Sequence, residues 1–235
     1  MTIEILFGEA CNLHGDGQNV TYLQASLPDA EFIFTPLTEE PYFVQNKPDM
    51  IYLGSMSESI QRRVIEKLMP HRARLLELVE DGIVFLATGN AGDIFCKKIE
   101  YITEAICVEG LDFFDNVAKV NWFDRYNGKI LGKFEDIEII GFKSQFSMIE
   151  GDNSSHYFFE AQRGIGINPS TNLEGLKKNN LICTQVLGPM LTSNPLFTQY
   201  LMGLLGESKQ PAYFEAAKDA YDQRLSEFKD PKVYF

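Results

Sequence analysis

The sequence predicts an α/β fold with a mostly parallel central sheet, flanking helices and an antiparallel extension. Short apolar runs alternate with helical patterns through the first half, the signature of βαβ units. From Ala118 to Phe142 the pattern changes to alternating aromatic segments, which suits antiparallel strands. Length sets the scale. A chain of 235 residues, 45% hydrophobic, can bury roughly 70–75% of its unfolded surface, so one core is expected, with at most a small annex.

Ile3 to Phe7 reads as the first strand, Asn19 to Ser26 as a short helix, Glu31 to Thr35 as a second strand and Met50 to Leu53 as a third. Ile60, Val64 and Leu68, then Leu75, Leu76 and Val79, recur at helical spacing after an N-cap at Ser57 or Ser59. Pro70 divides that run into two helices, because it removes a backbone donor and clashes one turn back. Asp81-Gly82 stops the second helix, and Ile83 to Ala87, apolar on both faces, fits a central parallel strand. Asn127-Gly128 is placed as a two-residue hairpin turn. Ile182 to Leu187 reads as another buried strand, Asn194-Pro195 as cap and first residue of a helix through Leu205, and Ala212 to Phe228 as the last helix. That helix places Tyr213, Ala217, Tyr221, Leu225 and Phe228 on one stripe. The expected division is 1–206 as the main domain, with 207–235 as a C-terminal helix and tail packed on it.

Composition narrows the function. Twenty-one Lys and Arg against thirty-three Asp and Glu give a net charge of −12, which repels a phosphate backbone, so nucleic acid is not expected as a partner. The longest apolar run, Ile83 to Ala87, is far short of the ~20 residues a membrane helix needs. With no basic region at Met1 to Glu4 either, no membrane partner and a cytoplasmic location are expected. The four cysteines show no C-x-x-C spacing and are too few for a disulfide framework, and three scattered histidines make a poor metal set. Reduced thiols, no metal and no cofactor are the expectation.

The chemistry-bearing stretch is Leu86 to Phe95, a sharp strand-to-helix turn rich in small residues. Small residues are needed where free N–H groups must approach a ligand or a nucleophile, but no G-x-G-x-x-G or Walker lysine accompanies them, so spacing alone favours a plain tight turn. Three other stretches add to it. Asn12-Leu13-His14-Gly15-Asp16-Gly17-Gln18-Asn19 resembles an N-L-Y-x-D-x-x-N loop. Asp49 to Ser57 resembles a D-x-x-x-x-G-G-G-S strand and oxyanion loop, and Leu187-Gly188-Pro189-Met190-Leu191 resembles H-G-P-x-L. In this order and spacing, over about Ile3 to Leu205, they resemble a class I glutamine amidotransferase of the CobB/CobQ-like group, and most of all its GatD-type glutaminase subunits of lipid II isoglutaminyl synthase.

The resemblance implies that a cysteine of C-G-G-Y-Q attacks a glutamine side-chain amide while the histidine of H-G-P-x-L acts as base. Here the vacated positions are Gly89 and Leu187, and neither can do the chemistry. In a further family segment, G-F-E-N-H-x-x-R, matched by Gly141 to Met148, the carboxylate-pairing arginine is Met148. Cys96, about two helical turns or ~10 Å beyond Gly89, is too far to substitute. Cys183 suits the core, which leaves Cys11, three residues before His14, as the outside candidate nucleophile. His71, with Arg72 and Arg74, reads as a solvated basic face and His156 as an edge-strand cap. Asp16, Asp93 and Glu58 read as helix-start and turn residues.

The expected function is therefore an amidotransferase-like subunit that has lost glutaminase chemistry and serves as binding or regulatory partner of an ATP-dependent, Mur-ligase-like amidating enzyme. Two alternatives stay open. One is an active hydrolase with Cys11 as a relocated nucleophile. The other is a small-molecule sensor, its vacated pocket of Gly54, Ser55, Gly89 and Asn90 holding a glutamine-like ligand. Gly54-Ser55 and Gly89-Asn90 should face one another at the C-terminal edge of the parallel sheet, their free N–H groups forming an electropositive notch. Phe146, Met148, Met190 and Leu191, with the tail Lys232 to Phe235, form the expected docking rim.

Overall fold

A computed structural model of the chain describes residues 1–187 and 189–233. In chain order its elements are β1 (Thr2–Leu6), α1 (Gly17–Ser26), β2 (Glu31–Thr35), β3 (Met50–Leu53), α2 (Glu58–Leu68), α3 (Arg72–Glu80), β4 (Val84–Thr88), β5 (Cys96–Tyr101), β6 (Ile106–Glu109) and β7 (Phe114–Val120). There follow β8 (Tyr126–Phe134), β9 (Ile137–Gln145), β10 (Ser147–Glu150), β11 (Phe159–Arg163), β12 (Leu173–Glu174), β13 (Leu176–Lys178), β14 (Leu181–Thr184), α4 (Met190–Ser193), α5 (Pro195–Leu204) and α6 (Phe214–Lys229).

The central sheet runs β13-β14-β4-β3-β1-β2, parallel throughout except for the edge hairpin β13–β14. Every residue of β3, β4 and β14 is buried, as the two-faced apolar run required. One core lies beneath α2 and α3 with Leu53, Phe85, Leu75 and Val79, and another packs Ile5, Tyr52 and Leu86 against Leu23, Phe197 and Leu201. The extension is two four-stranded sheets, β10-β7-β5-β6 and β12-β11-β8-β9. Tyr221 and Phe228 of α6 bury against Leu131 and Ile140 of the second.

The α2–α3 break falls at Pro70 as expected, as a single 3-10 turn, Met69–His71, and Ser57 Oγ caps α2 by accepting from Ile60 N. Elsewhere tertiary contacts override local signals. Asn127 and Gly128 lie inside β8, paired with Ser144 and Lys143, and the hairpin turns at Glu135-Asp136, with Glu135 at φ 51°. Burying Ile130, Phe134 and Ile139 in one core and Leu131 and Ile140 under α6 requires ladder pairing beyond residue 128, and the missing side chain of Gly128 leaves room for the ring of Tyr126. Asn194 and Pro195 open α5 as expected, but the Asn194 side chain makes no cap hydrogen bond. Its Oδ1 accepts from Ile140 N and its Nδ2 donates to Ile140 O and Met190 O, each at 2.9 Å, tying α4 and α5 to β9. The strand expected to Leu187 ends at Thr184, and Leu187 forms an isolated bridge with Phe142. Tyr213 precedes α6 and is exposed, off its buried stripe.

Candidate functional site

β3 and β4 end side by side, and the two turns that follow do face each other. Gly54 is required by a backbone approach: a Cβ there would stand 2.3 Å from Cys11 O. Gly89 has φ +58°, and a Cβ on it would meet Ser55 Cβ at 2.6 Å and Leu187 Cδ2 at 3.1 Å. The turns are laced by Asn90, whose Oδ1 accepts from Met56 N at 2.9 Å and whose Nδ2 donates to Met56 O at 2.7 Å. No α-helix starts over Gly89. Residues Gly89–Phe95 form 3-10 turns and continue directly into β5, because the carbonyls of Ile94, Phe95 and Cys96 accept from Leu111, Phe113 and Asp112 instead of extending a helix. Cys96 is therefore the first residue of a strand rather than a position two turns along a helix.

The separated sequence stretches are joined here by side-chain hydrogen bonds. Asp16 is buried, and its Oδ2 accepts from Ser55 N at 2.6 Å and from Thr88 Oγ1 at 2.9 Å. It thus fastens the β3 turn to β4, and although it stands at the N-cap position of α1 its side chain makes no cap hydrogen bond there. Asn19 donates to Tyr52 Oη at 3.0 Å and accepts from Leu191 N at 2.9 Å, linking α1 to the segment after Leu187. The expected notch of free N–H groups is largely filled from within, since Ser55 N is given to Asp16 and Met56 N to Asn90.

Beside these turns lies a cavity of about 240 Å³, lined by Ser55, Gly89, Asn90, Asp93, Gln145 and Leu187, among others. Gly54 stays behind the wall. Asp93 is buried, with Oδ1 3.0 Å from Gln185 Nε2 and Oδ2 3.4 Å from Gln61 Nε2. Burial outweighs these hydrogen bonds and pushes its carboxyl up to about 7. Glu58 also lines the cavity, and burial raises its carboxyl too, offset in part by its own backbone N–H and by Arg125, which lines the same cavity. Both carboxyls therefore belong to the cavity, beyond the turn and helix-start roles the sequence suggested. Behind it Lys143 and Glu174, both wholly buried, approach to 3.7 Å. Burial draws the Lys143 amine down and the Glu174 carboxyl up. Glu174 in turn accepts from Thr184 Oγ1 and Gln185 N, both at 2.9 Å, so the pair holds the segment that carries Gln185.

The sequence did not single out Gln61, Arg125 or Gln185, and Gln145 was visible only as part of the matched Gly141 to Met148 segment. Cys11 is not in the cavity wall. Its Sγ lies 3.8 Å from Met56 Sδ in the core, and burial, with the carboxylates of Glu9 and Asp16, pushes the thiol up to about 12. Cys96 and Cys183 are buried with thiols raised well above the ordinary value, chiefly by desolvation. His156 stacks on Phe114 with centroids 5.3 Å apart and pairs with Asn116 Oδ1 at 2.8 Å, away from the site. The docking rim does not form as expected: Met190 and Leu191 are wholly buried, Met148 is half-buried, and Phe146 packs against Trp122. Of the remaining motif and tail residues, Gly188, Tyr234 and Phe235 lie outside the described residues. Among the described residues no group of three or more His, Cys, Asp or Glu is arranged to hold a metal, and no helix is long and apolar enough to cross a membrane.

No family model matches the sequence. The chain is similar to the GatD subunit of the glutamine-hydrolysing lipid II isoglutaminyl synthase of Staphylococcus aureus (strain N315), 26% identical over 217 residues, covering 89% of this chain and 86% of that one. Its fold is similar to a crystallised glutamine amidotransferase, with a TM-score of 0.53 and 14% identity over 87% of this chain and 99% of that one. The glutaminase domain of Trypanosoma brucei CTPS with bound acivicin has a TM-score of 0.53 at 9% identity, covering 90% of this chain and 98% of the domain. PurLQS from Thermotoga maritima has a TM-score of 0.52 at 9% identity, covering 95% and 98% of the two chains. With a mostly parallel central sheet, an antiparallel extension and this relative, the chain is a class I glutamine amidotransferase-like protein close to GatD.

Proposed function

We propose that the chain is an amidotransferase-like subunit of the CobB/CobQ-like group that no longer hydrolyses glutamine and serves as binding or regulatory partner of an ATP-dependent amidating ligase of Mur-ligase type. The carrying observation is the contact of Gly89 with Leu187. The two positions that the family resemblance assigns to nucleophile and base adjoin, as a reacting pair must, and neither side chain can ionise. The alternative nucleophile is disfavoured by its surroundings. Cys11 faces Met56 in the core, and a thiol pushed up to about 12 is almost wholly protonated at neutral pH.

The subunit role draws on the likeness to a synthase subunit, and the four free cysteines suit a cytoplasmic setting. Residues 1–206 form the amidotransferase-like unit in this reading, with 207–235 packed on it through α6. The cavity beside Gly89 favours a second role, binding of a small molecule, with Ser55, Gly89 and Asn90 in its wall and Gly54 setting the turn behind.

Ammonia release from millimolar glutamine tests the loss of activity. The purified chain is expected to stay at buffer background, alone and with its copurifying partner. Turnover that disappears in Cys11→Ala would overturn the reading in favour of a relocated nucleophile.

A further inference from the structure

Two features of the cavity are not explained by the loss of a nucleophile. The first is Asp93. Its carboxyl is buried among the amides of Gln61 and Gln185, and the charged neighbour acting on it is Glu58, itself an anion. The cations of the wall act elsewhere. Arg125 donates to Ser144 Oγ at 2.6 Å, lies over the Phe146 ring and offsets Glu58, while the charge of His14 acts on Asp16. Asp93 is thus a desolvated carboxyl at a cavity wall, with no counter-ion among the described residues.

The second is Gln145, 5% exposed, whose Oε1 has no hydrogen-bond donor among the described residues. The amide cannot be relieved by turning it over. Its Nε2 donates to Ser147 O at 2.6 Å, and a flip would set oxygen against oxygen. An acceptor buried without a donor is a standing cost to the fold that a donor from a ligand would relieve. Ser147 connects the two features, since its Oγ lies 3.2 Å from the Gln185 Nε2 that also reaches Asp93, while its carbonyl fixes Gln145. A carboxyl lacking a cation and an amide oxygen lacking a donor thus share one polar network, and the two residues line one cavity with Leu187, Val120 and Phe146.

We propose that this cavity binds a small ligand through a protonated primary amine, received by the Asp93 carboxylate with Gln145 Oε1 as second acceptor, its carbon chain against Leu187, Val120 and Phe146. The inference rests on the reading that Gly89 and Leu187 leave no reacting pair, so that occupancy ends in binding. The volume of about 240 Å³ limits the ligand to roughly the size of an amino acid or a short alkylamine.

Binding must depend on pH in a defined direction. The groups facing Asp93 are Glu58 and Gln61 from α2, Tyr101 and Cys96 from β5, Ser147 from β10, and Cys183 and Gln185 from β14 and beyond. Burial raises the Tyr101 hydroxyl and both thiols away from neutrality, while it brings the Asp93 carboxyl up to about 7. With Asp93 titrating at about 7, its ionised fraction rises about tenfold between pH 6 and pH 8, while an alkylamine stays protonated.

The test titrates the full chain with n-butylammonium, butyrate and L-glutamine, followed by the side-chain amide signals of Gln145 and Gln185. Saturable shifts by n-butylammonium are expected, about tenfold tighter at pH 8 than at pH 6. Asp93→Asn should weaken binding at least tenfold and remove the pH dependence. Gln145→Met, which keeps the volume and removes the acceptor, should weaken binding but leave the pH ratio intact. A purely structural role would move stability and not that ratio. Preference for butyrate, uptake of glutamine without uptake of the amine, no saturation by n-butylammonium, or unchanged affinity in Asp93→Asn would overturn the proposal. If Asp93→Asn fails to fold, the Gln145→Met titration and the wild-type pH ratio decide. Ammonia release is measured in the same samples. Its appearance sinks the loss of glutaminase chemistry, while the amine titration is judged separately.

Discussion

Gly89 and Leu187 close on one another at the end of β4, where a Cβ added to Gly89 would lie 3.1 Å from Leu187 Cδ2 and only 2.6 Å from the Cβ of Ser55. The space a nucleophile would need is therefore already taken by its neighbours. Restoring the reactive residue is a packing problem as well as a chemical one.

Gly89→Cys is expected to show no glutamine hydrolysis and to lose about 1–3 kcal/mol of stability, from the close contact with Ser55 and the left-handed backbone at φ +58°. Adding Leu187→His supplies a base, and adding Ser55→Gly as well gives the room. Ammonia release and denaturant midpoints check the series. Turnover by Gly89→Cys alone would contradict the need for both base and space.

Asp16→Ala should cost about 2–4 kcal/mol, because it leaves Ser55 N and Thr88 Oγ1 buried without their shared acceptor. Urea denaturation measures this. Native-state hydrogen exchange should show faster opening at Ser55, and a loss below 1 kcal/mol would mean that Asp16 does not fasten these turns.

Asp93 fixes the sign of a pH effect. Its carboxyl titrates at about 7 in the folded chain against an ordinary 3.8, so between those values the folded state holds a proton that the unfolded state has lost. Stability from this group is accordingly greatest in acid, falls as pH rises from about 4 to 7, and is constant above. Asp93→Asn should remove that fall and be the more stable form at pH 8, by at most about 4 kcal/mol. Thermal unfolding from pH 5 to pH 8 checks it, and parallel curves for the two proteins would refute it.

Lys143→Met should be strongly destabilising, by about 3–5 kcal/mol, since it strands the wholly buried Glu174. Lys143→Met with Glu174→Gln should recover part of the loss, because the amide oxygen can still accept from Thr184 Oγ1 and Gln185 N. Chemical denaturation of the singles and the double gives the coupling. Additive losses would show that the two residues act independently.

The sheet was legible because its strands bury both faces and leave unbroken apolar runs. β2 and β3 have the bounds read from the sequence, and Ser57, Pro70 and Gly82 punctuate the helices through local backbone chemistry. The motif stretches were legible too, in that Gly54 and Gly89 are demanded by approaches that only a residue without a side chain permits. Asn127-Gly128 misled because its local preference is weaker than the burial of the β8–β9 ladder, while Asn194 marked the start of α5 correctly but spends its amide on three tertiary hydrogen bonds instead of a cap.

What the sequence by itself determined was the layered α/β architecture and the absence of a thiol and an imidazole at Gly89 and Leu187, since periodicity and residue identity are local properties. Only the tertiary structure decided that these two positions touch, that Cys11 points into the core, and that Asp93, Gln145 and Gln185 share one cavity. Those residues come from separate segments of the chain, and desolvation, which makes Asp93 a group titrating near neutrality, exists only once the fold has removed its water.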